Sequence, residues 1–167
     1  EGARRIGLFI ITQETGSPLD QASWFAQNVV ADCPQAFAHQ WVGGVMSGVA
    51  VVNNTFVRGE VGFNLKGYDA RYGDLYAFRN NVVASMSKNA VGVTGWGTGG
   101  ADQFLPLTFV RNLYHGNATH AGDTDAIGTD QRYTFAQWQQ QTYGGLRADV
   151  DGLQAEPLFT NGAAGDF

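Results

Sequence analysis

Lys66, His39 and Arg58 carry the groups that a carbon-acid reaction needs. Removing a proton α to a carboxylate takes a base, and cations within hydrogen-bond reach of the same substrate unit. An imidazole, an ammonium and a guanidinium supply both. Alternation along three segments assigns Phe37, His39 and Trp41 to one outward row, Asn64 and Lys66 to the next, and Thr94 and Trp96 to a third. Aromatic faces, an imidazole, an amide and an ammonium bind sugar rings and uronate carboxylates, because pyranose C–H faces pack on π-systems and hydroxyls need hydrogen bonds. Trp41, Asn64 and Trp96 are therefore candidate substrate-binding residues. The plainer reading makes Lys66 and Arg58 solvated charges and His39 a polar outward residue.

A hydrolytic site would instead need two carboxyls roughly 5 to 10 Å apart across a glycosidic bond. Glu60 and Asp69 bracket the second of these segments, with Asp74 beyond. At about 3.3 Å per residue the first two are too distant along one strand, so such a pair must come from neighbouring turns. Solubilising loop acids are the plainer reading. Asp123, Asp125 and Asp130 form an oxygen-rich loop that suits calcium, although without the spacing of an EF-hand. His115 and His120 beside it read as ligands, as acid–base groups or, more plainly, as exposed loop histidines. Cys33 has no neighbouring base to activate it, and the glycine-rich run from Gly95 to Gly100 lacks the lysine of a phosphate loop.

The elements that must position these groups repeat. WFAQNVV, VVNNTFV, FRNNVVA and FVRNLYH align without gaps on Asn28, Asn54, Asn81 and Asn112, at intervals of 26, 27 and 31 residues. A second, alternating element follows the first three asparagines: AFAHQW from Ala36, VGFNLKG from Val61, VGVTGW from Val91. In VGFNLKG, Val61, Phe63 and Leu65 share one face, the period of a strand with a buried side. Short strands precede and follow the asparagine, giving three per turn. Such a period predicts an all-β parallel solenoid, with the asparagines hydrogen-bonded to one another from turn to turn. An antiparallel sandwich would leave the recurring asparagine without a reason. From Asn117 to Asp130 the polar, aperiodic sequence reads as a loop. Thr134 then caps a short helix with Phe135 and Trp138 on one face, closing near Gly144, and the terminal stretch suits a further partial turn. Residues 117–145 thus read as an insertion in a single domain spanning 1–167.

The chain has 167 residues, 23 of them glycine, with 15% charged and 44% hydrophobic residues. That is a folded, turn-rich composition for one domain. A net charge of −5 without a basic cluster argues against nucleic acid. No apolar run approaches the roughly 20 residues of a spanning helix. A single cysteine leaves the redox compartment open.

The segments VVNNTF, FRNNVV, FVRNLY, FAQWQQQT and AEPLFTNGAAGDF together resemble the C-terminal part of right-handed parallel β-helix proteins of the pectate-lyase-like superfamily. The resemblance runs from about Trp24 to Phe167 and departs at Glu156, where relatives usually carry aspartate before the proline. It implies a right-handed solenoid, expected to be a portion of a longer protein, that is secreted by a bacterium and binds or cleaves polysaccharide by elimination or hydrolysis. Calcium is the one cofactor that the acidic loop brings into question, and with no heptad or dimer motif a monomer is expected. A non-catalytic glycan-binding or structural solenoid is the competing expectation.

Overall fold

The computed structural model describes residues 6–12, 23–41, 45–46, 49–67, 71–72, 76–94, 107–123, 132–140, 142–143, 146–147 and 149–159. Strand β1 (Ile6–Thr12) is followed by a first full turn of β2 (Ser23–Ala26), β3 (Val29–Ala31) and β4 (Gln35–Trp41). After β5 (Val45–Met46) the second turn is β6 (Val49–Val52), β7 (Thr55–Val57) and β8 (Val61–Gly67). After β9 (Arg71–Tyr72) the third is β10 (Tyr76–Arg79), β11 (Val82–Ala84) and β12 (Asn89–Thr94). The fourth is β13 (Leu107–Val110), β14 (Leu113–His115) and β15 (Thr119–Asp123). Then come β16 (Arg132–Tyr133), helix α1 (Phe135–Gln140), the pair β17 (Thr142–Tyr143) and β18 (Leu146–Arg147), and β19 (Leu153–Gln154).

Each strand pairs in parallel with its equivalent one turn away, forming three sheets: β2-β6-β10-β13 (sheet I), β3-β7-β11-β14-β19 (sheet II) and β1-β4-β8-β12-β15, with β16 antiparallel at its edge (sheet III). The chain is a parallel β-helix. Thr119–Asp123, expected within a loop, is instead the sheet III strand of the fourth turn. It lacks an apolar alternation because its inward residue, Ala121, is small and its neighbour His120 packs under α1.

The corner between sheets I and II explains the asparagine. Gln27, Asn53, Asn80 and Arg111 adopt left-handed backbone with φ of 54° to 59°, a sharp reversal that non-glycine residues enter only when their surroundings fix them. Each is followed by a ladder asparagine. Asn54 Oδ1 accepts from both Asn28 N and Nδ2, Asn81 Oδ1 accepts from Asn54 N and Nδ2, and Asn112 Oδ1 accepts from Asn81 N and Nδ2, all at 2.9 to 3.0 Å. The second amide hydrogen reaches a strand carbonyl, Phe25 O from Asn54 and Val51 O from Asn81. The recurrence seen in the sequence is thus a continuous chain of bonds, half-buried at Asn28 and buried between Asn54, Asn81 and Asn112.

The fifth rung is built differently. Val150 bridges Val110, so Asp149 is in register with Phe109 and Gly152 with Asn112. Asp151, before Gly152, keeps the left-handed corner at φ 58°. A Cβ on Gly152 would lie 2.7 Å from the Asp149 carboxyl carbon. The aspartate therefore fills the space of the missing amide, and its Oδ1 accepts from Asn112 N and Nδ2 at 3.4 and 3.3 Å. Burial pushes the Asp149 carboxyl up to about 6, against the neighbouring Tyr114 hydroxyl and the bonds from Asn112, which pull it down. A carboxyl raised in the folded state favours its protonated form there. Stability from this group is complete below the unfolded value near 3.8 and is lost as pH rises through about 6. Asp149→Asn, which cannot ionise, will gain up to about 3 kcal/mol over the parent at pH 8 and little at pH 4. Urea unfolding at the two pH values checks this, and an equal change at both would refute it.

The interior is aromatic. Phe25, Val51, Phe78 and Phe109 are in register across sheet I, with Phe78 and Phe109 stacked at 4.7 Å and an interplanar angle of 9°. Phe63 of β8 packs edge-on against Phe37, Phe56 and Phe78. Where the next turn offers Asp149, Trp138 of α1 takes the place above Phe109, at 5.5 Å. The expected cap is present: Thr134 Oγ1 accepts from Gln137 N, while Gln137 Oε1 accepts from Thr134 N. Gln139 Nε2 donates to Asp149 O and Gly152 O, tying the helix to the last turn.

Candidate functional site

The register corrects the expected outward rows. Phe37 pairs with Phe63 and His39 with Leu65, so both belong to the inward set of sheet III, and each is 0% exposed. Volume decides the parity: phenylalanine fills the solenoid where Ala36 and Ala38 would leave a void. Asn64, in register with Ala38 and Gly92, is 1% exposed, so it is not a solvent-facing binding residue either. Burial holds the His39 imidazole down to about 4, which keeps it neutral at ordinary pH. Lys66 is in register with Gln40 and Thr94, and Trp41 with Gly67. Trp96, Asp69, Asp74, Asp125 and Asp130 lie outside the described residues. The calcium expectation rests mainly on the last two of these.

Arg58 and Glu60 sit at the corner between sheets II and III, in ion pairs that cross turns. Arg58 Nε and NH2 grip both oxygens of Asp32 at 2.8 Å, and these bonds lower the Asp32 carboxyl below its usual value and raise the guanidinium. Lys88 Nζ reaches Glu60 Oε2 at 2.6 Å. Both pairs are largely exposed, so each contributes little to stability. The structure separates Arg58, on an outer corner, from His39, in the interior.

The described residues instead surround a cleft at the other end of the solenoid. In sheet III the residues following Gln35, Val61, Asn89 and Thr119 are Ala36, Gly62, Ala90 and His120. The first three are small for a reason. A Cβ on Gly62 would stand 2.5 Å from Val83 Cγ1, the sheet II side chain one turn on. For His120 the residue one turn on is Gln154, which is exposed, so room opens where the core would otherwise close. The resulting cleft has a volume of about 450 Å³ and lies between the corner after β14, the β16–α1 connection and β19. Tyr114, His120, Tyr133 and Phe135 give it aromatic walls, and Arg132 and Gln154 give it polar ones.

His120 was expected to be an exposed loop residue, and the structure places it 6% exposed on β15. Its ring lies 4.3 Å from Tyr114, 5.0 Å from Phe135 and 5.9 Å from Trp138. Burial pushes it down to about 3, so it is neutral across physiological pH. Tyr114 behind it is raised well above its ordinary value by burial, then by the Asp149 carboxylate. The depth of the cleft is therefore uncharged on its imidazole and phenol. No protein family, curated protein or solved structure matches this chain.

Sequence reasoning missed the cleft because its residues come from separate stretches, 114–120, 132–136 and 154. One signal was present. A histidine stands where the three preceding turns carry alanine or glycine. Among the described residues no group of three or more His, Cys, Asp or Glu gathers to hold a metal, and no helix is long and apolar enough to cross a membrane.

Proposed function

We propose that this chain is a carbohydrate-binding parallel β-helix of the pectate-lyase-like kind, and that the cleft beside α1 holds one sugar unit of a polysaccharide. The observation that carries this reading is the pairing in one cleft of aromatic faces from Tyr133 and Phe135 with the hydrogen-bonding groups of Arg132, Gln154 and His120. Sugar recognition needs both kinds of surface, because the ring faces are apolar and the hydroxyls are not. The parallel β-helix supports it further, since side chains repeating along one axis suit a repeating polymer.

Binding is favoured over cleavage. The described residues lining the cleft include no carboxylate, so the pair needed for hydrolysis is not among them. An imidazole whose proton affinity is depressed to about 3 is a weak base for elimination. The test is calorimetric titration with a panel of neutral and acidic oligosaccharides, with mass spectrometry of the mixtures. Binding without new products is expected, with Tyr133→Ala and Arg132→Ala each weakening it roughly tenfold or more, about 1.4 kcal/mol. Unsaturated or hydrated products would replace binding with lyase or hydrolase activity. Absence of binding across the panel, or unchanged affinity in both variants, would remove the cleft from the account.

A further inference from the structure

We propose that the cleft selects an uncharged, hydroxyl-bearing sugar unit over a uronate, and that the His120 imidazole forms the hydrogen bond that makes the selection. This rests on the glycan reading above and names the class of sugar that the same cleft takes.

His120 Nε2 is buried and hydrogen-bonds to nothing among the described residues, while its residue lines the cleft. A buried polar atom left in that state costs on the order of 1 to 3 kcal/mol. Other turns avoid the problem by carrying alanine or glycine at this position. A ligand group entering the cleft can end the deficit, and the ring's setting restricts what that group is. Tyr114, Phe135 and Trp138 lie against the imidazole, so the surroundings stabilise charge poorly. The depressed proton affinity of His120 itself reflects this, and a carboxylate brought to the same depth meets the same desolvation penalty.

Hydrogen-bond capacity points the same way. In a neutral imidazole Nε2 is either donor or acceptor, whereas a hydroxyl is both. A sugar hydroxyl therefore satisfies either tautomer. A carboxylate only accepts and an ammonium only donates. Arg132 is the one cation lining the cleft among the described residues, and it is exposed. Its attraction for a uronate is weakened by solvent and salt, while the penalty at His120 is not.

The experiment follows the ring signals of His120 by NMR in histidine-labelled full chain. It titrates methyl glucoside, methyl galactoside and methyl mannoside in parallel with galacturonate. A neutral glycoside is expected to shift the His120 signals, with galacturonate at least tenfold weaker. His120→Phe, which keeps a planar ring but no nitrogen, should weaken the neutral glycoside about tenfold, and His120→Gln should restore part of the loss. Circular dichroism confirms that both variants are folded, and if His120→Phe is not, His120→Gln and the wild-type shifts decide. Galacturonate binding as tightly as the glycosides, or glycosides binding without moving His120, would overturn this inference and leave the glycan reading standing. No sugar binding at all, here or in the oligosaccharide panel, would overturn both.

Discussion

Asn81→Ala will lower the free energy of unfolding by roughly 4 kcal/mol, the largest loss of any single ladder substitution at a fixed pH. The amide of Asn81 accepts from Asn54 N and Nδ2 and donates to Val51 O and Asn112 Oδ1. Alanine removes all four bonds at once. It leaves two buried groups without partners, the Asn54 backbone N–H and one hydrogen of the Asn54 amide, while the Val51 carbonyl loses its side-chain donor but keeps its place in the sheet I ladder. Each stranded group costs about 1 to 3 kcal/mol, and Asn54 and Asn81 are each only 1% exposed, so water cannot substitute. The comparison that makes this specific is Asn28→Ala. Asn28 is the half-buried first rung, and its own second amide hydrogen serves Ala26 O, on an exposed residue. Water can serve that carbonyl, so the loss should be near 1 kcal/mol. Urea unfolding of the two variants decides between a ladder and a set of independent caps. Equal losses would mean that the bonds are not coupled to burial in the way described. Since domains are stable by only about 5 to 15 kcal/mol, the Asn81 variant is expected to be close to unfolding at 37 °C.

The same rung shows why the ladder was legible in the sequence and its ending was not. An amide that must bond the same amide one turn away leaves the same residue at a nearly constant interval, and loops can lengthen the interval without moving the asparagine. The fifth rung breaks this rule because its acceptor comes from Asp149, three residues ahead of Gly152, which occupies the ladder position. No repeat search finds an aspartate that substitutes for an asparagine from a different place in the chain. Parity failed for a related reason. Phe63 and Leu65 were assigned inward correctly because Gly62, Asn64 and Lys66 between them contrast with them. In QAFAHQW the contrast is missing, since Ala36 and Ala38 are as buried as Phe37 and His39. A strand covered on both faces loses its alternation, and Asn64, Gly92 and Gly122 are buried as well. The aromatic and polar residues that looked like an outward binding row in the first turn were in part the core. The cleft, assembled from a corner, a short strand and a helix start, left only His120 as a visible departure from the alanine and glycine column.

Acidification from pH 7 to pH 4 will destabilise the fold by several kcal/mol, and His39→Leu will remove a large part of that loss. Burial lowers the His39 imidazole from 6.5 to about 4. Below pH 6.5 the unfolded chain therefore takes up a proton that the folded chain refuses until about pH 4, and stability falls across that window. The shift corresponds to roughly 3 kcal/mol. His120, lowered to about 3, adds a loss of similar or greater size that continues to lower pH. Asp149 opposes both between about pH 6 and 4, because there the folded chain holds the extra proton. The three windows overlap, so removing one group identifies its share. Leucine suits position 39, which lies in register between Ile10 and Leu65, and a volume-matched aliphatic residue should pack there at little cost. The difference in unfolding free energy between pH 7 and pH 4 should shrink by about 3 kcal/mol in His39→Leu. It should grow in Asp149→Asn, where the opposing proton is gone. An unchanged difference in His39→Leu would mean that the imidazole accepts a proton in the folded state at ordinary pH, which the apolar column around it does not favour.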